Sequence, residues 1–329
     1  MSNGVSALGV AVIGLGWWGR IVCALLAQSQ KLRVVRKVDP FVTEAGVDAH
    51  LDDALGDAAV QGVILCTPHS LHCEQIVRAA QAGKHVFCEK PLSLSRREVL
   101  EAVAEVNRAG VVLAVGHEKR FEPPIQAAFD LLRRGDIGTP LQIEANFSQD
   151  KFLSMPADNW RLSPKEAPAG PMTATGIHLL DLSVGVFGAA QRVFASVRTL
   201  GSQLTNGDTL GILVAFREGG HALISAVLAT PFDGRFAIYG SQGWVEVRDK
   251  AHPEAPQGWS FTTRIRGKEK QEKHFPAAPA VLANLEAFAD AAAGRAPYPV
   301  PQAQMIANVS ALEAVFRSAA SGRAEDVEG

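Results

Sequence analysis

Cysteine is scarce in this chain: four residues in 329, Cys23, Cys66, Cys73 and Cys88, all in the first third. Their spacings match no zinc-binding pattern, so no metal site is expected, and a chain of this length does not need disulfide staples. They read as reduced thiols of a cytoplasmic protein. An excess of one charge sign is also missing, since 32 basic against 34 acidic residues leave a formal net charge of −2. Without a positive field, neither nucleic acid nor an anionic membrane is an expected partner. No apolar run is long enough to span a bilayer. The start, MSNGVSALGVAVIGLGWWG, has no basic residues ahead of its apolar stretch and runs into a strand-and-turn pattern, so a signal peptide is not expected. Internal repeats and low-complexity tracts are absent. What remains, 47% hydrophobic and 20% charged residues, is an ordinary globular composition long enough for two domains.

The first third alternates short apolar runs with helical spacing. Residues 9–16, 32–39, 60–67, 83–91 and 111–116 read as strands, and 20–30, 70–82 and 95–109 as helices. Strands and helices alternating at these lengths imply a doubly wound parallel sheet, a Rossmann-type α/β domain. After FEPP (121–124) a helix at 125–134 gives way to β-rich runs at 140–148, 192–200, 210–218, 221–229, 235–241 and 243–249, several alternating apolar and polar residues. That pattern suits a large, mostly antiparallel open sheet in an α+β domain. Helices are expected near 280–293 and 302–320. The expected domains are residues 1–122 and 123–329.

Gly14-Leu15-Gly16-Trp17-Trp18-Gly19 is a G-x-G-x-x-G loop placed between a strand and a helix. Its glycines allow the tight turn, close approach of a pyrophosphate and close packing of helix on strand. Trp17 and Trp18 are counted with it as cofactor-binding residues. Asp39 ends the second strand, 20 residues after Gly19. That is the spacing for a carboxylate on an adenosine ribose, which would repel a 2′-phosphate and so favours NAD over NADP. Arg36 and Lys37 stand close in sequence and complicate that preference.

GKHVFCEKP (83–91) places Glu89, Lys90 and Pro91 at the end of a parallel strand, where open α/β sheets bind ligands. A lysine there can polarise a substrate oxygen, and its pKa can fall on desolvation. The combination of GLGWWG, the run from Thr67 to Ser93, GHEKRFEP, NWRLSP, GIHLLD and the closing ALEAVFRSAASGR resembles the glucose-fructose oxidoreductase / inositol dehydrogenase / MocA family over nearly the whole chain. The resemblance implies a cis Lys90-Pro91 bond and a lysine that contacts cofactor and substrate. It also implies that Thr67, Pro68 and His72 lie along the cofactor. His69 and His85 read as structural.

Between residues 172 and 187, Ile177, Leu180, Val184 and Phe187 recur at helical spacing, and His178 and Asp181 fall off that stripe. Gly176, His178 and Asp181 reproduce a family G-x-H-x-x-D run, which implies proton transfer by His178 at a substrate hydroxyl. Ala174 stands where many members carry an aspartate. That departure leaves open whether the substrate differs from a polyol, whether Asp181 or a threonine serves instead, or whether turnover is lost. Trp160, Arg161, Asp181 and Arg120 are the substrate-side candidates, with His117 and Lys119 weaker.

The resemblance therefore implies an NAD(P)-dependent dehydrogenase or reductase, with Lys90 and His178 as the catalytic residues. Its substrate is expected to be a small, cyclic polyol, sugar or sugar acid. The alternatives are a non-sugar cyclic diol or carboxylated ring compound as substrate, or a non-catalytic dinucleotide sensor. Family members associate through the second domain's sheet, so a homodimer or homotetramer is expected.

Overall fold

The computed structural model describes residues 7–328; the first six residues of the start read above lie outside it. The chain divides into two compact units, Met1–Glu118 with Val281–Met305, and Lys119–Ala280 with Ile306–Gly329. No helix among the described residues is long and apolar enough to cross a membrane.

The first unit runs β1 (Leu8–Ile13), α1 (Trp17–Leu26), β2 (Leu32–Val38), α2 (Leu51–Leu55), β3 (Gly62–Leu65), α3 (His72–Gln81), β4 (His85–Cys88), α4 (Arg96–Ala109) and β5 (Leu113–Val115). Its five strands form one parallel sheet in the order β2-β1-β3-β4-β5. Every residue of β1 and β3 is buried, which is why both read as unbroken apolar runs. The chain leaves β1 for β2 on one side and returns to β3 on the other. The carboxyl ends of β1 and β3 therefore flank the switch point, where such sheets take their ligands.

The second unit carries α5 (Pro123–Arg133), β6 (Pro140–Ser148), α6 (Ile177–Phe187), β7 (Ala190–Arg198), β8 (Thr209–Phe216), β9 (His221–Val227), β10 (Asp233–Gly240), β11 (Gly243–Asp249), β12 (Trp259–Ile265) and β13 (Gln271–Phe275). After α7 (Ala280–Ala292) come α8 (Gln302–Ser321) and a short β14 (Glu325–Asp326). The nine strands run β13-β12-β11-β10-β6-β9-β8-β7-β14, antiparallel apart from the β6–β9 pair. One face is the core: Ile143 and Phe147 of β6 and Ile212 and Val214 of β8 pack with Leu179 of α6 and Leu312 of α8. On the other face Phe194, Leu213 and Leu223 lie side by side across β7, β8 and β9, each more than two-fifths exposed.

Two differences from the sequence reading have physical causes. The first is that β12, β13 and the two-residue β14 extend the sheet beyond the six strands expected. Strand β13 is a polar, exposed edge (Gln271 to His274), with none of the apolar alternation that marks a strand. The second is that residues 281–305 pack with the first unit. Leu285, Phe288 and Ala289 of α7 enter the first sheet's core, with Phe288 edge-on to Phe87 at 5.9 Å. Tyr298 Oη donates to Asn284 Oδ1 at 2.6 Å and accepts the Val115 N–H at 3.3 Å. Amphipathic spacing identifies a helix but not the sheet it covers.

Candidate active site

In the first unit the three loop glycines answer three separate demands. Gly14 has φ +90°, a left-handed turn that non-glycine residues adopt at a cost. A Cβ at Gly19 would lie 1.9 Å from Gly14 O, so only glycine lets α1 sit this close to the loop. A Cβ at Gly16 would meet nothing within 4 Å. No close packing demands this second glycine. It begins α1 without any side-chain cap, leaving the helix N-terminus and open space where an anion can approach. Trp17 is 43% exposed beside this opening, whereas Trp18 packs on the first core.

Asp39 follows β2 and is wired to the loop: Oδ2 accepts the Leu15 N–H at 2.7 Å and Oδ1 accepts the Phe41 N–H at 2.8 Å. Each oxygen keeps a second lone pair for a hydroxyl donor. Arg36 is engaged elsewhere, bonded to Asp57 at 2.8 Å and to Asp48 at 3.2 Å. A glycine loop with an open helix terminus and a strand-end carboxylate fits a dinucleotide's pyrophosphate and ribose.

At the carboxyl end of β4, Glu89 is buried and Lys90-Pro91 is cis, as the resemblance implies. Gly116, just after β5, makes room for Glu89: a Cβ there would come within 2.5–2.8 Å of the Glu89 carboxylate. Glu89 Oε2 also accepts the Lys90 N–H at 3.3 Å. His72 is fully buried, and its ring spans two loops, Nδ1 to Pro91 O at 2.8 Å and Nε2 to Thr67 O at 3.0 Å. Burial pushes its pKa below the usual histidine value, and the two carbonyls partly oppose this. His72 therefore braces the Thr67-Pro68 turn against Pro91, with both ring nitrogens facing carbonyl oxygens. His85 accepts the Val112 N–H through Nδ1.

In the second unit, a π-helical turn (Met172–Gly176) leads into α6. π turns within helices recur at functional sites. The expected single helix with one apolar stripe is corrected here. Every residue from Ile177 to Val184 is buried, because α6 lies within the core against the nine-stranded sheet. Lying off the stripe thus does not mean facing solvent. His178 is 4% exposed and stands 6.1 Å from the Phe147 ring. Asp181 is 1% exposed and held by Arg120: Nε to Oδ2 at 2.6 Å, Nη2 to Oδ1 at 3.0 Å. Gly185, one turn further along α6, creates the space for Arg120, whose guanidinium would lie 2.4 Å from a Cβ there. The structure brings Arg120 and Asp181 to each other, as a closed bidentate pair.

Ala174 faces an apolar cluster: with Met155 it packs on Phe152, Leu162, Leu204 and Leu228. Nearby, Arg161 stacks on Trp160, its guanidinium carbon 4.2 Å from the ring centroid. The Asn159 side chain caps this short turn by accepting the Arg161 N–H, and Asn206 Nδ2 donates to Arg161 O and Ala167 O.

Sequence reasoning named Lys119 only as a weaker candidate and missed the polar group that it joins around Phe147. Lys119 Nζ lies 5.1 Å from that ring and pairs with Glu122 and Asp249, each at 3.1 Å. His252, on the β11–β12 connection, stands 6.0 Å from Phe147 and 5.6 Å from Phe232. Lys151 pairs with Glu254, and burial lowers its pKa. Lys119 and Asp249 lie 130 positions apart, and the group forms no local motif. His117, the other weak candidate, is buried at the end of the first unit's sheet.

The family model described as oxidoreductase family, NAD-binding Rossmann fold, matches residues 8–117. The GFO/IDH/MocA C-terminal domain model matches residues 125–246. A 1,5-anhydro-D-fructose reductase of Ensifer adhaerens is 28% identical, over 88% of this chain and 87% of that protein. A scyllo-inositol 2-dehydrogenase (NAD(+)) of Bacillus subtilis is 29% identical, over 74% of each. The crystal structure of GenD2 from gentamicin A biosynthesis, in complex with NAD, superposes with a TM-score of 0.84 at 25% identity, covering 100% of this chain and 98% of that one.

Proposed function

The chain belongs to the glucose-fructose oxidoreductase / inositol dehydrogenase / MocA family of oxidoreductases, and from that premise we propose that it interconverts a ring hydroxyl and a ketone on a small cyclic polyol or sugar, with NAD as cofactor. The observation that carries this reading is the Glu89-Lys90-Pro91 segment. It sits at the ligand-binding end of β4, in a unit whose glycine loop and Asp39 suit a dinucleotide. The names of the relatives above, a reductase of an anhydrosugar and a dehydrogenase of an inositol, support the substrate class. NAD is favoured over NADP because Asp39 follows β2 directly and Arg36 is committed to Asp48 and Asp57.

A bound nicotinamide supplies the hydride acceptor or donor. The chain's own residues manage the rest. The α1 N-terminus holds the pyrophosphate, and Asp39 accepts from the ribose. Glu89, lodged against Gly116, fixes the backbone that presents Lys90. Lys90 Nζ polarises the reacting oxygen. The His178 imidazole takes the hydroxyl proton in oxidation and returns it in reduction. Arg120 and Asp181 act as positioning residues for α6, through their mutual pair. We place the enzyme in the cytoplasm, in keeping with its scarce cysteines, and assign Phe194, Leu213 and Leu223 to a homo-oligomeric contact.

The test is Lys90→Met, assayed by NADH absorbance across polyols, aldoses, sugar acids and cyclic diols, together with NADH binding. Turnover is expected to fall about a thousandfold with binding retained. Near-normal turnover would rule out the role of Lys90. Tight NADH binding by the unmodified protein, with no turnover on any compound, would point to a sensor instead.

The apolar surroundings of Ala174 favour a second reading of the substrate. A carboxylate there would be buried among Phe152, Leu162 and Leu204, so this wall suits a ring that presents a hydrogen or methyl at that edge. Cyclic diols should then outperform fully hydroxylated polyols in the same panel.

A further inference from the structure

We propose that His252 is a substrate-binding residue, donating a hydrogen bond from Nε2 to a neutral hydroxyl or carbonyl oxygen of the ring. This rests on the dehydrogenase reading above for the identity of the ligand. The proton's position follows from the backbone: Nδ1 accepts the Glu254 N–H at 3.3 Å, so in the neutral ring Nε2 carries the hydrogen. That Nε2 is buried and meets no hydrogen-bond partner among the described residues. A buried donor left unsatisfied costs free energy that a ligand oxygen would recover.

The surroundings select the ligand. His252 shares the Phe147 ring with His178, at 6.0 and 6.1 Å, and Phe232 closes another side. The charged groups acting on His252 are Lys119 and Lys151 on one hand and Glu254 and Asp249 on the other. Both lysines are matched by carboxylates, Lys119 by Glu122 and Asp249, Lys151 by Glu254. The group therefore carries no spare positive charge with which to select a carboxylate or phosphate. A neutral oxygen bonded by one N–H, against aromatic rings, matches a hydroxylated ring.

His252→Phe keeps a ring for packing and removes the donor; His252→Gln keeps an N–H near the same place. With the best substrate of the panel, His252→Phe is expected to raise KM about tenfold or more, with NADH affinity and thermal stability retained. His252→Gln should restore most of the loss. The second measurement needs no turnover. In 15N-histidine-labelled protein with NADH, the side-chain Nε2–H resonance that disappears in His252→Phe should shift on saturation with myo-inositol. A shift without turnover would uphold the binding role and sink the dehydrogenase reading. Turnover with an unchanged KM in His252→Phe and a static resonance would overturn the role of His252 and leave the dehydrogenase standing. A static resonance without turnover would overturn both.

Discussion

The two units carry their chemistry in different ways. In the first, function is built from backbone: glycines that allow a turn, a close approach and an open helix end, and a strand-end segment for which Gly116 clears space. In the second it is built from side chains drawn from distant positions, such as Arg120 with Asp181 and Lys119 with Asp249. Backbone devices tolerate no added atoms. Side-chain devices tolerate no missing partner.

That contrast breaks most sharply at Arg120. Arg120→Met leaves Asp181 buried without its guanidinium and should cost about 3–5 kcal/mol, seen as a large fall in the unfolding midpoint. Adding Asp181→Leu should recover most of it. If the single change is silent, the pair does not hold α6. A smaller effect is expected in the first unit. Gly19→Ala forces a Cβ to within 1.9 Å of Gly14 O and should cost about 1–3 kcal/mol of stability. Gly16→Ala meets no protein atom, so calorimetry should show unchanged stability while NADH titration shows weakened binding. Equal stability losses in the two variants would mean that Gly16 is a packing residue.

The smallest effect is a pH dependence contributed by both units. Burial depresses the pKa of His72 and His85 in the first and of His252 in the second from the ordinary 6.5. Below that value the unfolded chain takes up protons that the folded chain refuses. Stability should thus be full above about pH 6.5 and decline as the pH falls through it. His72→Gln should flatten part of the decline in a series of thermal melts.

Legibility from sequence follows the same division. The glycine loop, Asp39 and Glu-Lys-Pro are contiguous or fixed-spacing signals, and the strand–helix alternation around them gives the parallel sheet. The bond from Asp39 to Leu15 N–H is not legible, because it joins positions 24 apart through a loop. In the second unit, His178 stood out by its place off an apolar stripe. Yet α6 is buried all round, so periodicity misreported its surroundings. Gly185 was the overlooked clue: a helical glycine one turn after a buried aspartate marks the lodging of a third group, here Arg120. His252 offered no signal at all, since nothing in its neighbourhood in sequence foretells Phe147 or Phe232.

Helix α7 has a consequence for how the molecule is made. A ribosome that has released residues 1–122 has delivered all five parallel strands but not Leu285, Phe288 or Ala289, which complete their core. The nascent cofactor-binding sheet must wait while residues 123–284 are synthesised, with Phe87 uncovered on that side. Its exposure to chaperones and to misassociation is set by the length of the intervening unit, and a gene cut at the apparent domain boundary would encode that waiting state permanently.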